Sequence, residues 1–514
     1  MIVILGATLV FVFLIRKVVR YGNIIRGIGN APGRRSLFSP DSFLGGVIPR
    51  TTGITLGRNY AFVDKHIAFA RLGYDIETTV TLLPKPRADI FVADASLVKE
   101  ITSSRSKFPK PLEQYTLLGF FGPNIVVSEA HEWKKYRKIS APAFSERNNK
   151  LVWEVTIKIM DSLFDDVWAE KKSIVIEHGV NLTLPLALFV IGVAGFGQNM
   201  SWSDDETVPF GRKMTFKQAL HITTAEFVPK LFLPEWSLSL TEKTRRCRDG
   251  FSELRQYMKE MVHERLAAGS LEDRHDLFSS LLSANGNEEI SLDEDEILGN
   301  IYIFLLAGHE TTAHTLCYAL ALLALYEEEQ EALHAHICAL APHGQAPPYE
   351  DMPKFTRVLA VMYETLRLFP SVTTIPKSAA EDTQLTTVNA EGKRLTIPVP
   401  RGTHITIHTA GLHFNPRYWT DPHKFMPERF LKSWNKDAFL PFSGGARACI
   451  GRKFSETEFT AAIVKLLLKY QVTIKDEPEF ATEIFEQKKE RVLKSTQFIT
   501  TSPVRVPLVF TLRS

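Results

Sequence analysis

The sequence predicts a mainly helical protein with a minor β-sheet, which is an α+β class. Apolar residues recur every three or four positions from residue 95 to about 380, and this period indicates one amphipathic helix after another. Between residues 395 and 409 the period falls to two, which indicates strands joined by a turn at Arg401 and Gly402. The chain has 514 residues, 45% of them hydrophobic, so it can form a large core.

The N-terminal 15 residues carry no charged side chain, and Arg16, Lys17 and Arg20 follow at once. A cleaved signal peptide would instead place its basic residues before the apolar stretch and small residues at a cleavage site after it. We therefore expect residues 1–20 to form a membrane anchor, although a soluble core helix is the alternative. The basic flank predicts that the rest of the chain lies in the cytosol. Residues 21–44, which are basic and contain Pro32, are predicted to be a hinge.

Residues 45–514 contain no internal repeat or long linker and are predicted to form a single domain. Short strands are expected at 54–57 and 79–83, followed by helices, of which 151–168, 251–268, 293–328 and 355–368 are the clearest. The apolar stretch 182–197 contains Pro185 and has no basic flank, so we expect a buried core helix. A capping box of Ser291 and Glu294 is expected to open the helix at 293–328. The C-terminal residues 499–512 are predicted to form a hairpin.

Composition argues against two classes of protein. The net charge is only +3 with acids and bases in balance, so a nucleic-acid partner is not expected. Four cysteines are far apart and form no C-x-x-C pair, so a disulfide framework is not expected and a reducing compartment is. They are Cys247, Cys317, Cys338 and Cys449.

The sequence AGHETTAH at 307–314 interrupts the most apolar predicted helix with polar side chains. A buried polar group without a partner costs about 1–3 kcal/mol, so such an interruption needs a functional reason. A zinc site of His309, Glu310 and His314 is not favoured. Zinc-binding H-E-x-x-H helices place their histidines at i and i+4, whereas these are five apart and about 140° around the helix.

One cysteine lies in a glycine-rich loop, PFSGGARACIGRKF at 441–454, that leads into a predicted helix. Gly445 and Gly451 permit turns and close backbone approach that a side chain would block. A cysteine just before a helix start faces unsatisfied backbone N–H groups, which favour the thiolate. Cys449 is therefore a candidate metal or haem ligand or a nucleophile, and the alternative is a small buried cysteine.

The spacing in this loop matches the F-x-x-G-x-R-x-C-x-G signature of the cytochrome P-450 family, which the segment closely resembles. The matching residues are Phe442, Gly445, Arg447, Cys449 and Gly451. Other segments resemble the family too, namely A-G-x-E-T-T at 307–312, E-x-x-R at Glu364 and Arg367, PERF at 427–430, and W-x-x-x-R at Trp133 and Arg137. The resemblance covers about residue 32 to the C-terminus, and in overall style the chain is similar to fungal microsomal members.

The resemblance implies the cytochrome P-450 fold, with haem b (iron protoporphyrin IX) between the long central helix and the cysteine loop. It implies that Cys449 is the axial ligand of the haem iron and that Phe442 shields that face from water. Arg447, Trp133 and Arg137 would bind the haem propionates. Many members have a further basic residue where this chain has Thr374, so the propionate partners are expected to differ here.

Further roles follow from the resemblance. Glu364, Arg367 and Arg429 would form a buried structural triad behind the cysteine loop. Thr311 would hydrogen-bond bound oxygen and Glu310 would help to relay protons, while Gly308 would let the helix backbone approach the oxygen.

The function implied is a haem-dependent monooxygenase that receives electrons from NADPH through NADPH-cytochrome P-450 reductase. It would hydroxylate or otherwise oxidise a lipophilic small molecule with O₂, with a terpenoid-like substrate of fungal secondary metabolism favoured. The alternatives are a haem-thiolate isomerase or dehydratase that does not use O₂, and a non-catalytic membrane haem-binding protein. The retained Glu310 and Thr311 argue against both alternatives, since neither needs a proton relay.

The substrate pocket and the surroundings of the domain follow from the same resemblance. The pocket would draw on residues 115–127, Phe304, Ala307, 371–376 and 499–503, which are mostly apolar or small. We expect an endoplasmic reticulum membrane protein with a single span and a cytosolic catalytic domain, so the glycan acceptors Asn181 and Asn199 should be unmodified. Lysines at 134, 135 and 138 are expected to face outward and dock the reductase.

Overall fold

A computed structural model gives the fold of residues 2–169, 171–198, 200–202, 207–267, 276–283, 291–342, 344–345 and 347–513. Asn199, the second glycan acceptor, lies outside these described residues. Long helices alternate with short strands, so the predicted α+β class is confirmed.

The α-helices, α1 to α18 in chain order, are Ile2–Gly27, Phe43–Val47, Tyr60–Asp64, Ile67–Leu72, Ala95–Ser103, Ala130–Ser140, Glu146–Ser162, Val180–Val190, Phe216–Ala225, Val228–Phe232, Glu242–Ala267, Leu277–Ser283, Glu294–Leu325, Glu327–Leu340, Thr356–Leu368, Thr409–His413, Arg452–Lys469 and Phe485–Val492. The strands, β1 to β12, are Gly33–Phe38, Ile76–Leu83, Arg87–Val92, Ser173–Ile176, Thr374–Ser378, Thr383–Val388, Arg394–Val399, His404–His408, Tyr470–Ile474, Ser495–Gln497, Thr501–Pro503 and Leu508–Leu512.

Contacts within the chain define two compact units. The first comprises Met1–Pro111, Tyr363–Cys449 and Ser495–Ser502, and the second comprises Leu112–Met362, Ile450–Lys494 and Pro503–Ser514. The prediction of one domain over residues 45–514 stays a prediction.

The first unit is built on a five-stranded sheet in the order β1-β2-β3-β8-β5. The pairs β1–β2 and β3–β8 are parallel, and β2–β3 and β8–β5 are antiparallel. Ile90 and Val92 of β3 and Ile405 and Ile407 of β8 are fully buried, so the centre of the sheet forms part of the core of this unit. This unit also contains residues 441–449 of the cysteine loop.

The second unit is organised around α13, a helix of 32 residues that packs against α8, while α17 packs against α7. The three-stranded sheet β4-β12-β9 belongs to this unit. A capping box opens α13, but its residues are Asp293 and Glu296 rather than the predicted Ser291 and Glu294. Each carboxylate accepts the backbone N–H of the other residue, at 2.7 and 2.9 Å. Asp293 occupies the cap position, and from there its carboxylate oxygen reaches the N–H of the third helical residue.

The N-terminal helix α1 extends to Gly27, and several of its apolar side chains are exposed, among them Phe11, Leu14 and Val18. Within the described residues, no helix is long and apolar enough to cross a membrane, so the predicted span of residues 1–20 is not supported. The predicted hinge at 21–44 stays a prediction, and within it residues 33–38 form β1. Arg34 of that strand makes ion pairs with the carboxylates of Asp64 and Glu77.

One predicted strand pairing and one predicted strand are wrong. The tail is not a hairpin, because β11 pairs with β10 whereas β12 pairs with β4 and β9. Pro503 and Pro507 lack the N–H that a pairing of neighbouring strands would need. Residues 54–57 form no strand either. Only an isolated bridge joins Thr51 to Thr55, because the positive φ angles of Gly53 and Gly57 turn the chain on both sides.

Candidate active site

The cysteine loop in the first unit is closed by its own backbone. The N–H of Cys449 donates to the carbonyl of Phe442 at 2.8 Å. Gly445 has a φ of 63°, and a Cβ there would lie 2.2 Å from the Thr102 carbonyl oxygen, so only glycine fits. Thr102 belongs to α5, which begins where the carboxylate of Asp94 caps the N–H groups of Ser96 and Leu97. Helix α5 therefore supports the turn that precedes Cys449.

Cys449 is the one exposed cysteine of the four, and all four are among the described residues. Cys247 and Cys317 are buried, and burial raises the pKa of both thiols. Cys338 is half-buried. A ligand thiol must be accessible, so Cys449 is the thiol best suited to ligation.

The chain enters the second unit directly after Cys449. Gly451 is the N-cap of α17, and the N–H of Ser455 donates to its carbonyl at 2.9 Å. The cysteine thus precedes the cap by two residues, as the sequence predicts for a thiol near a helix start.

The side chains of Glu364, Arg367 and Arg429 are brought together in the first unit. Arg367 donates to both carboxylate oxygens of Glu364 at 2.7 and 2.8 Å, and Arg429 donates to one of them at 3.1 Å. The backbone N–H of Met426 donates to the same carboxylate at 2.9 Å. The Glu364 and Arg367 side chains have no exposed surface, so this is a fully buried, charge-assisted network.

The polar stretch of α13 is where this otherwise buried helix becomes accessible. Residues 297–306 and 312–323 are buried, whereas Ala307 is exposed and Gly308, Glu310 and Thr311 are half-buried. The hydroxyl of Thr311 donates to the carbonyl of Ala307 at 2.8 Å. Glu310 and Thr311 therefore lie in one accessible window of α13.

The structure adds three details to the predicted roles of this stretch. The segment is α-helical throughout. Gly308 has a packing role, because a Cβ there would lie 3.0 Å from the side chain of Ile191. His309 is buried, with Nδ1 2.7 Å from the Leu305 carbonyl, and burial lowers the pKa of both His309 and His314 to about 4. Both imidazoles are therefore neutral at physiological pH.

Helix α6 carries Trp133, which is buried, and Arg137, which is half-buried, one turn apart. Lys134 and Lys138 are exposed, as predicted. Lys135 is not, because its Nζ lies 2.8 Å from both carboxylate oxygens of Glu296 at the start of α13.

Glu296 also accepts a hydrogen bond from the hydroxyl of Tyr136 at 2.7 Å. Burial opposes ionisation, yet the hydrogen bonds from Lys135 and Tyr136 hold the pKa of Glu296 below its ordinary value. The sequence does not predict this connection between α6 and α13. Lys135 and Tyr136 are neighbours in the sequence, but this pattern does not identify an ion-pair partner 161 positions away.

Thr374 lies at the start of β5, opposite His408 of β8, and is half-buried. Arg447 and Phe442 are both half-buried in the cysteine loop. The predicted site residues thus fall into local groups, one on the loop, one on α6, one in the window of α13 and one in the buried triad.

Comparisons with known proteins agree with one another. The family model of cytochrome P-450 matches residues 65–497. Cytochrome P-450 monooxygenase 124 of Postia placenta is 48% identical over 514 residues, which is 99% of each chain. Cyclooctat-9-en-7-ol 5-monooxygenase of Streptomyces melanosporofaciens is 38% identical over 229 residues, or 44% of this chain and 47% of that one. The crystal structure of the cytochrome P-450DA haem domain has the same fold, with a TM-score of 0.75 at 23% identity over 94% of this chain and 98% of that one.

Proposed function

The chain belongs to the cytochrome P-450 family and is a monooxygenase of that family, and on this premise we propose a reaction and a substrate class. The protein uses O₂ and electrons from NADPH, delivered by NADPH-cytochrome P-450 reductase, to oxidise a lipophilic small molecule. One oxygen atom enters the product and the other is reduced to water. The observation that carries this proposal is Cys449, an exposed thiol on a loop closed by its own backbone.

The residues present fit the haem that the family implies. Among the described residues no group of three or more His, Cys, Asp or Glu side chains is arranged to hold a metal ion by itself. A single accessible thiol suits haem iron, because the porphyrin itself supplies most of the ligands and Cys449 would hold the iron through its sulfur. We infer that the cofactor is haem b. When bound, it supplies the activation of oxygen.

The proposed roles of the loop and of α6 follow from their chemistry. Cys449 ligates the iron, and the half-buried ring of Phe442 excludes water from its sulfur. Arg447, Trp133 and Arg137 donate hydrogen bonds to the propionates, and bonds to a carboxylate are the stronger kind. At the position where many family members have a basic residue, Thr374 offers the propionates only a hydroxyl.

Proton handling is proposed for the window of α13. The Thr311 hydroxyl donates to the Ala307 carbonyl, and its oxygen lone pairs are able to accept a further hydrogen bond. Glu310 is adjacent in sequence and half-buried, and a carboxyl group is able to donate and accept protons. Glu310 therefore supplies protons, and Thr311 positions them for oxygen reduction.

The electron donor is proposed to dock on the exposed lysines of α6. Lys134 and Lys138 are exposed, whereas Lys135 is occupied by Glu296. Two free cations on one helix complement an acidic flavoprotein surface and increase the rate of encounter.

A terpenoid-like substrate remains our preference. In the second unit Phe120 packs against Phe251 with ring centroids 5.1 Å apart, and Phe121 packs against Tyr302 at 4.6 Å. Phe120 and Phe121 belong to the segment 115–127 that is proposed to line the pocket, and their aromatic surroundings favour an apolar ligand. The name of the Streptomyces relative, which refers to a hydroxylated ring hydrocarbon, is consistent with this class. The fungal origin of the Postia relative supports the proposal of a role in fungal secondary metabolism.

We propose that the protein associates with the endoplasmic reticulum membrane through α1, with the catalytic part in the cytosol. The exposed apolar side chains of α1 support this, and so do Phe232 and Trp236 of the second unit, which are exposed. Asn181 is exposed and would be glycosylated if the domain were luminal. An endoglycosidase-sensitive shift that disappears in Asn181→Gln would reject the cytosolic orientation.

The test of function is turnover with isotopically labelled O₂, NADPH and a partner reductase, using a panel of lipophilic metabolites and mass spectrometry. We expect a product that contains one labelled oxygen atom and requires NADPH. A product that forms without O₂ and NADPH would indicate the isomerase or dehydratase class instead. Haem binding without any turnover across the panel would indicate the non-catalytic class.

A further inference from the structure

His413, the last residue of α16, is fully buried in the first unit between two backbone groups. Its Nε2 accepts the N–H of Leu440 at 2.9 Å, and its Nδ1 lies 3.2 Å from the carbonyl oxygen of Arg367. The Leu440 N–H is a donor and the Arg367 carbonyl is an acceptor, so Nδ1 carries the proton and Nε2 is unprotonated. Burial and the neighbouring charge of Arg367 lower the pKa of His413 to about 3, which keeps the ring neutral.

On one side His413 is joined to the buried triad twice. The ring donates to the Arg367 carbonyl, and the Arg367 guanidinium donates to the His413 carbonyl at 2.9 Å. Arg367 is in turn fixed by two hydrogen bonds to Glu364. The imidazole therefore has a rigid support.

On the other side His413 holds the residue at which the cysteine loop begins. The N–H of Leu440 donates to Nε2 of the imidazole, and the carbonyl of Leu440 accepts a hydrogen bond from the N–H of Ser443 at 3.2 Å. Pro441 follows and has no N–H, so the Leu440 N–H is the hydrogen-bond donor available at this point of the backbone. The Phe439 ring stacks on the imidazole with centroids 5.4 Å apart and planes 26° apart.

We propose that His413 is a positioning residue that transmits the fixed geometry of the Glu364–Arg367 pair to the loop that presents Cys449. It does not touch the reacting atoms. It fixes the start of the loop, and the hydrogen bond from Cys449 to the Phe442 carbonyl fixes its end. The inference rests on the proposed thiolate ligation by Cys449, and it adds a residue that no motif in the loop contains.

A packing role would be the simpler explanation of a buried imidazole. Substitutions of different side-chain geometry distinguish a packing role from the positioning role. Glutamine places an amide oxygen near the position of Nε2, so His413→Gln keeps an acceptor for the Leu440 N–H. Asparagine places its amide near Nδ1, so His413→Asn keeps a donor to the Arg367 carbonyl and loses the bond to Leu440. His413→Phe keeps ring packing and loses both bonds.

The experiment compares these variants of the full-length haem protein in the reduced, carbon-monoxide-bound state. The readout is the ratio of the thiolate-type band to the band of haem without thiolate ligation, at equal haem content. We expect His413→Gln to resemble the wild type. In His413→Asn and His413→Phe the ratio should fall about tenfold, since a buried N–H loses its acceptor. The midpoint potential of the haem should shift in the same two variants.

Ile405→Ala is the matched control, because Ile405 is a fully buried core residue of the same unit that has no part in the network. It should lower thermal stability without changing the ratio. If His413→Asn does not fold, Leu440→Pro removes the donated N–H and leaves the imidazole in place, while Leu440→Ala keeps the N–H. The ratio should then fall in Leu440→Pro alone.

Two results would overturn the inference in distinguishable ways. A wild-type protein without a thiolate-type band would reject the proposed function and this inference with it. A normal wild-type band that is retained in His413→Asn and His413→Phe would reject the positioning role alone.

Discussion

Two threonines on α13 make the same local hydrogen bond but differ in exposure. Thr311 donates to the carbonyl of Ala307 at 2.8 Å, and Thr315 donates to that of Thr311 at 2.7 Å. Thr311 is half-buried in the accessible window, whereas Thr315 is only 3% exposed. Any special role of the Thr311 hydroxyl therefore comes from its access to the window, and Thr315 is a natural control for it.

Thr311→Ala should keep haem and substrate binding but divert electrons to peroxide. Product per NADPH should fall at least about tenfold, because positioned proton transfer contributes roughly 10²–10⁴-fold to such steps. NADPH consumption, peroxide and product are measured together. Thr315→Ala should leave the coupling unchanged. Normal coupling in Thr311→Ala would remove the hydroxyl from the proton pathway.

The buried triad gives a second prediction for a single residue. Glu364→Gln leaves the guanidinium groups of Arg367 and Arg429 without their countercharge, and breaking a buried pair typically costs about 3–5 kcal/mol. The melting temperature and the haem content should both fall. Glu350→Gln, which breaks an exposed ion pair with Lys150, should change neither. Equal melting temperatures for the two variants would contradict the structural role of the triad.

At the scale of elements, α6 has two functional faces. Trp133 lies on the buried side, Lys135 is tied to Glu296, and Lys134 and Lys138 point to solvent. This division makes the docking proposal testable, because two of the three lysines are available and the third is not.

Lys134→Glu combined with Lys138→Glu should slow reductase-supported turnover about tenfold at low ionic strength, because the attraction that speeds encounter is reversed. The difference should shrink towards 1 M salt, where the screening length is about 3 Å. Turnover driven by added peroxide bypasses the reductase and should be spared. Equal loss by both routes would mean that these lysines support folding or haem retention, not docking.

Lys135→Gln is the companion variant. It should lower the melting temperature by loosening the tie between α6 and α13, and the salt dependence of the reductase reaction should stay normal. A change in salt dependence equal to that of the double variant would assign Lys135 to the docking surface as well.

The same elements show what the sequence can and cannot predict. The family resemblance predicted the Glu364–Arg367 pair, which agrees with their spacing of three on a helix, and the glycine-rich loop predicted the turn at Gly445. Local spacing did not predict the ion pair of Lys135. A helical wheel shows which way a side chain points, but not which side chain lies opposite it. Local pattern also predicted wrongly that β11 pairs with β12, because the partners of a strand are set by distant segments that such a pattern does not encode. His413 was missed for the same reason, since its hydrogen-bond partner Leu440 is 27 positions away.

At the scale of the whole molecule, apolar surface is exposed on α1 and on the segment that carries Phe232 and Trp236. Deletion of residues 2–15 should weaken membrane association without abolishing it. Adding Phe232→Glu and Trp236→Glu should release the protein fully, since burial of apolar area provides about 25 cal/mol per Å². The fraction that floats with lipid vesicles is the measurement. A deletion variant that is already fully released would reject the second membrane contact.

The central claim is that Cys449 supplies the thiolate that ligates the haem iron, and the reduced, carbon-monoxide-bound absorption spectrum tests it most directly. The wild-type protein should give the thiolate-type band, and Cys449→Ser should lose it. Cys338→Ser, the next most accessible cysteine, should keep it. A thiolate-type band that survives in Cys449→Ser, or that disappears when Cys247, Cys317 or Cys338 is replaced, would contradict the assignment.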